Sequence, residues 1–128
     1  MIIEDGFLSK AKENLAVAEW CLKEGHFNAC INRVYYSMYQ VAFVALVHFQ
    51  IAKSEAQHSH KWIQSTFASE LVGKRKIFPG YQSHLMRVQE KRNLADYSKT
   101  PISRKQAKRT FDFAKNFIKA VMGVINES

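Results

Sequence analysis

Apolar side chains recur every three or four residues through nearly the whole chain, and the glycines and prolines fall between these stretches. That spacing predicts helices and no strands. A first helix runs from about Glu4 to Glu24, with Leu8, Ala11, Leu15, Ala18 and Leu22 on one stripe and Gly25 placed as its stop. A second, restarted at Asn28, covers about His26 to Gln50; it is apolar on nearly every side after Val34, which marks it as the central helix. Ser59 offers an N-cap to a shorter third helix carrying Trp62, Ile63, Phe67 and Leu71 and stopping near Gly73. After the loop GKRKIFPG, a fourth helix is expected from near Tyr81, with Tyr81, Leu85, Val88, Arg92 and Ala95 on its stripe. Ser103 and Gln106 form a capping box that opens a fifth, with Ala107, Phe111, Ala114, Ile118, Val121 and Ile125 in 4-3 alternation. No repeat or low-complexity linker interrupts the pattern. Residues 1–128 are expected to form one all-α domain, a bundle of four long helices and one short one.

Composition narrows the class. The 128 residues, 47% of them hydrophobic, suffice for one core without disulfide or zinc staples. The longest apolar run, Val41 to Phe49, is interrupted by His48 and is about half the ~20 residues that cross a bilayer, so no membrane span is expected. Glu4 and Asp5 stand where a secretory signal carries basic residues, and Cys21 and Cys30 fit neither a disulfide framework nor a ligand cluster. The expectation is a cytoplasmic chain with reduced, buried cysteines. Charge is uneven: residues 1–64 carry six Lys/Arg against six Asp/Glu, residues 65–128 thirteen against five, so the net +8 lies in the second half. A concentrated positive field favours polyanions such as RNA, DNA or nucleotides, although a solvated basic surface gives the same count.

No G-x-G-x-x-G or P-loop sequence is present. His58 and His60 stand about 200° apart on a helix and have no carboxylate four residues away, so neither a metal nor a cofactor is expected. His26 and His48 have no evident partner and read as helix residues rather than catalysts. Three constellations remain. On the second helix, Arg33, Tyr36 and Gln40 share one face while Tyr35 and Tyr39 share another; the tyrosines suit either base stacking or core filling with paired hydroxyls. On the fourth, Arg87, Lys91, Arg92, Asn93, Asp96 and Tyr97 gather, and Arg92 falls on the apolar stripe, where a guanidinium needs a carboxylate or phosphate. It pairs with Asp96 one turn on, or it serves an anion. The third is the basic set Lys74, Arg75, Lys76, Arg104, Lys105, Lys108 and Arg109, read as a solvated face or as polyanion contacts.

The stretch N-R-V-Y-Y-S-M-Y-Q-V-A-F-V-A-L from Asn32, the S-H-K-W-I start at Ser59 and R-N-L-A-D-Y from Arg92 to Tyr97, in this order, resemble the HEPN domain family over nearly the whole chain. The resemblance implies an up-and-down helical bundle, commonly a homodimer, often encoded beside a minimal nucleotidyltransferase in prokaryotic toxin–antitoxin modules. Many members are metal-independent endoribonucleases whose R-x4-6-H motif acts near the dimer interface. Arg92 matches the motif arginine and Asn93 the polar residue that often follows it, but Tyr97, Ser98 and Lys99 stand where the histidine is expected. A phenol near 10 or an amine near 10.4 is poorly matched to proton transfer at neutral pH. His84, about two turns before Arg92, is too far away to partner it within one protomer. The resulting expectation is RNA or nucleotide binding near Arg92 with doubtful ribonuclease activity. Arg33, Tyr36, Asn93 and Asp96 are the binding candidates, and Arg92 and Tyr97 the catalytic ones. The alternative is a non-catalytic interaction module that docks a nucleotidyltransferase or a second copy of itself.

Overall fold

The computed structural model describes residues 3–53 and 57–127. Five α-helices follow in order: α1 (Ile3–Glu24), α2 (Phe27–His48), α3 (His60–Thr66), α4 (His84–Tyr97) and α5 (Arg104–Glu127), with no strand among the described residues. The all-α bundle of long helices plus one short one is therefore the fold, and none of these helices is long and apolar enough to cross a membrane.

Burial of α2 organises the bundle. Cys30, Ile31, Val34 and Tyr35 are buried, and from Ser37 to Leu46 every residue but Gln40 is buried, which takes in most of its circumference; α1, α3, α4 and α5 all pack on it. Burying each large apolar side chain contributes about 1.5–3 kcal/mol. The α1 contact is close because Ala11 and Ala18 face it, and the fully buried Ser37 hydroxyl donates to the Ala11 carbonyl at 2.7 Å. On α5, Ala107, Phe111, Ala114, Phe117, Ile118 and Val121 form the buried stripe, and Phe117 meets Phe67 at 5.3 Å between ring centroids. Both cysteines are free and buried, and burial pushes the Cys30 thiol up to about 12, so it is inert at neutral pH.

Local chemistry sets most of the boundaries. Gly25 sits at φ +83° and the His26 amide donates back to the Cys21 carbonyl, which closes α1 with a Schellman turn. Ser59 caps α3 through the Trp62 amide, and Ser103 and Gln106 exchange the two bonds of a capping box. Three expectations shift. The second helix spans Phe27–His48, and His26 at its N-cap position makes no side-chain capping bond. Past Thr66 the third helix widens into π-helical turns over Phe67–Lys74, which keep Phe67 and Leu71 both in the core. Tyr81 lies outside α4: the turn at Gly80, φ +90°, delays the helix to His84 and lays the Tyr81 ring against Phe117.

Much of the basic set has partners within the fold. Lys74 pairs with Glu70 and Lys108 with Asp112. Arg75 donates to the Phe49 carbonyl and Arg104 to that of Leu22. They brace loops and helix ends, so the stripe expected on α5 is not a continuous polyanion track.

The two glycines of opposite setting give a paired test. Gly25→Ala places a side chain at a left-handed backbone and should cost about 1–2 kcal/mol. Gly123→Ala, in α5 with no heavy atom within 4 Å of the new Cβ, should stabilise by about 0.5–1 kcal/mol. Urea denaturation of both variants measures the contrast.

Candidate functional site

At about 100° per residue, α4 presents three faces. Leu85, Gln89, Arg92 and Asp96 form the one turned to α2, and it is here that the chain concentrates polar groups in a half-buried setting. Arg92 Nε lies 3.1 Å from Asp96 Oδ2 and donates to Asn32 Oδ1 at 3.3 Å, while Asn32 Nδ2 donates to Asp96 Oδ1 at 2.9 Å. The three side chains close a ring of interactions between α2 and α4. The guanidinium carbon also stands 4.9 Å from the centroid of the Tyr35 ring, a cation–π contact. With Nε so held, the two Nη groups make no hydrogen bond among the described residues.

Tyr35 connects this ring to α3. Its hydroxyl shares a hydrogen bond with His60 Nδ1 at the helix start, and the His60 ring stacks on Tyr39 at 4.5 Å. The Tyr39 hydroxyl sits within reach of Gln64 Oε1, Gln89 Oε1 and the Leu85 carbonyl, at 3.1, 3.2 and 3.4 Å. Burial raises the Tyr35 phenol above its ordinary value; the Arg92 charge offsets part of the rise, and Tyr36 adds to it. Tyr39 is pushed up strongly by burial and by Tyr35. Neither phenol ionises near neutral pH. Burial first, and the Arg92 charge second, hold His60 below the usual imidazole range, so it is neutral at pH 7.

Beside His60 opens a cavity of about 350 Å³ lined by aromatic and amide side chains, among them Tyr36, Tyr39, Gln40, Phe43, His58 and His60. His58 is held by stacking on Trp62 at 3.8 Å, and its buried Nε2 has no hydrogen-bond partner among the described residues. Arg33 stands one turn before Tyr36 and is tied to the cavity wall: its Nη1 donates to Asn14 Oδ1, and Asn14 Nδ2 donates to Gln40 Oε1.

The structure thus joins Arg92 to Asp96, and Arg33 to Tyr36 and Gln40. Asn93 and Tyr97 occupy another face of α4, on a shallow surface with Glu90, Leu94 and Ser98, and Tyr97 is 78% exposed. His84 stacks on Phe113 of α5 at 4.2 Å, away from Arg92. Asn32, Tyr35 and His60 are not among the binding or catalytic candidates that the sequence yields: the tyrosines suit base stacking or core filling equally, and His60 reads as an unsuited metal ligand. Among the described residues no group of His, Cys, Asp or Glu is arranged to hold a metal ion.

A small all-helical bundle whose central helix, third-helix start and fourth helix converge on an arginine defines the class. The chain belongs to the HEPN domain family, whose profile matches residues 5–124. Among curated proteins none matches it.

The two depressed histidines set a pH dependence. His84, like His60, is held low by burial and then by a neighbouring guanidinium, that of Arg87. The unfolded chain takes up protons as pH falls through about 6.5, whereas the folded one resists. Stability from these groups is complete above that value and is lost as pH drops below it. Thermal melts between about pH 7.5 and 5.5, above the carboxylate range, should show a falling Tm. The double variant His60→Gln, His84→Gln should flatten the dependence.

Proposed function

We propose that this HEPN domain binds RNA or a nucleotide in the groove between α2, the start of α3 and α4, and cleaves it poorly if at all. The observation that carries the reading is the state of Arg92. Its Nε is pinned by Asp96 and Asn32 and its plane lies over Tyr35, so a rigid fork of Nη donors is held ready for phosphate oxygens. The adjoining cavity supplies what a base needs: the half-exposed ring of Tyr36, the amides of Gln40 and Gln57, and His58 Nε2, which has no partner among the described residues. The excess of +8, carried by the second half of the chain, supports the same class of ligand.

Poor cleavage follows from proton chemistry. Tyr97 occupies the place of the family's motif histidine and lies about 140° around α4 from Arg92. His60, the imidazole nearest Arg92, is committed at Nδ1 to Tyr35. Loss of a positioned acid/base typically costs 10²–10⁴-fold.

A second reading, the interaction module, is favoured by the outward face of α4, where Met86, Leu94 and Tyr97 share a stripe at 43%, 50% and 78% exposure. HEPN domains often dimerise, and this face suits a second copy or the minimal nucleotidyltransferase of a toxin–antitoxin module.

Single-stranded RNA should bind with a log–log salt slope of about −3 to −4. Arg92→Lys, which keeps the charge and loses the fork, should weaken binding by about 1–3 kcal/mol while circular dichroism stays unchanged. Wild-type affinity in Arg92→Lys would leave Arg92 as a structural brace only, and efficient cleavage of the RNA would overturn the second half of the proposal. Light scattering of wild type and Leu94→Asp tests assembly: a dimer should become a monomer.

A further inference from the structure

The face of α4 turned to α5 carries a second concentration of charge that the groove at Arg92 does not use. A cavity of about 240 Å³ lies between the two helices, lined by Arg87, Val88 and Lys91 from α4 and by Arg109, Thr110 and Phe113 from α5. Three cations converge on it, and no carboxylate lines it. None of the three forms an ion pair among the described residues, whereas Lys108, the neighbour of Arg109, is neutralised by Asp112 at 2.7 Å. Like charges around one concavity repel each other, and an anion seated there would relieve that repulsion.

The apolar part of the cleft specifies which portion of a ligand fits. Phe113 is engaged by two side chains: the Arg87 guanidinium carbon stands 4.9 Å from its centroid, and the His84 ring stacks on it at 4.2 Å with the planes 6° apart. A base would have to displace one of them to stack there. The Thr110 hydroxyl already donates to the Gln106 carbonyl, so the cations are the donors on offer. Stacking on Phe113 also restrains Arg87 before any ligand arrives, which lowers the ordering cost of binding.

We infer that this cleft holds a backbone phosphate of a polynucleotide strand whose neighbouring nucleotides lie in the groove at Arg92. The inference rests on the RNA reading above and extends it. Lys91 and Arg92 are adjacent in sequence and project about 100° apart around α4, Lys91 onto the cleft with α5 and Arg92 toward Asn32 of α2, so a strand crossing over this helix, about 10 Å wide, meets a phosphate site on each flank. A mononucleotide fills only the first.

The test compares the wild type with the double variant Lys91→Gln, Arg109→Gln, both exposed positions that leave the Arg87–Phe113 stack intact. The affinity of a twelve-nucleotide single-stranded RNA is measured by fluorescence anisotropy across a salt series. The variant slope should be shallower by about 0.7–1.4, one or two phosphate contacts at about 0.7 each, while the affinity for AMP stays at the wild-type value. In a second arm, inorganic pyrophosphate is titrated while the His84 imidazole is followed by NMR. Its signals should move in the wild type and stay fixed in the variant. An unchanged RNA slope overturns the inference: with a His84 response the cleft is a free-phosphate site, and without one the three cations are a solubility feature only. A fall in AMP affinity also overturns it, because the two sites would then be one. Should Arg92→Lys bind RNA as wild type does while the double variant loses slope, the groove reading fails and the cleft stands.

Discussion

Enclosing the C-terminal half of α2, where every residue from Ser37 to Leu46 except Gln40 is buried, is the constraint from which the other features follow. A stretch of helix so enclosed must find protein partners for each polar atom it carries, and an unpaired one costs about 1–3 kcal/mol. Ser37 meets this with the Ala11 carbonyl and Tyr39 with the amides of α3 and α4. Where α2 emerges at its N-terminal half, Asn32 and Tyr35 meet Arg92. The site is thus the polar margin of the core, and the demand for satisfied hydrogen bonds in a tightly packed helix also fixes its side chains.

Three kinds of surface are divided among the faces of one helix. Toward α2, α4 carries the arginine held by Asn32 and Asp96; toward α5, the cations around Phe113; outward, the apolar residues Met86, Leu94 and Tyr97. The net apolar asymmetry of α4 is correspondingly weak, because a cation or carboxylate interrupts every stripe. Its position is held by specific pairings rather than by a broad greasy surface.

The features legible in the sequence are those encoded within a few residues. Gly25 as a stop, Ser59 as a cap, the Ser103–Gln106 box and the Arg92–Asp96 pair all depend on spacings of one turn or less. The rest of the site depends on contacts no local pattern contains. Arg92 meets Asn32 across 60 residues, and Tyr35 meets His60 across 25. Which rotation each helix adopts against α2 decides those meetings, and it follows from packing of the whole bundle. The same applies to the basic residues: one-letter spacing places Lys105, Lys108 and Arg109 together, but only the fold shows that Lys108 is neutralised and Arg109 is not.

The tight turn at Gly25 has a consequence for how the site comes into being. Two residues join α1 to α2, so these helices form a hairpin of low contact order whose closure sacrifices little chain entropy. Asn32 and Tyr35 belong to that local unit, whereas His60 and Arg92 meet them only across 25 and 60 residues of chain. The groove therefore lies on the seam between the hairpin and segments distant in sequence, and detachment of α4 would dismantle it. Ligand bound across that seam would act as a clasp between the two parts.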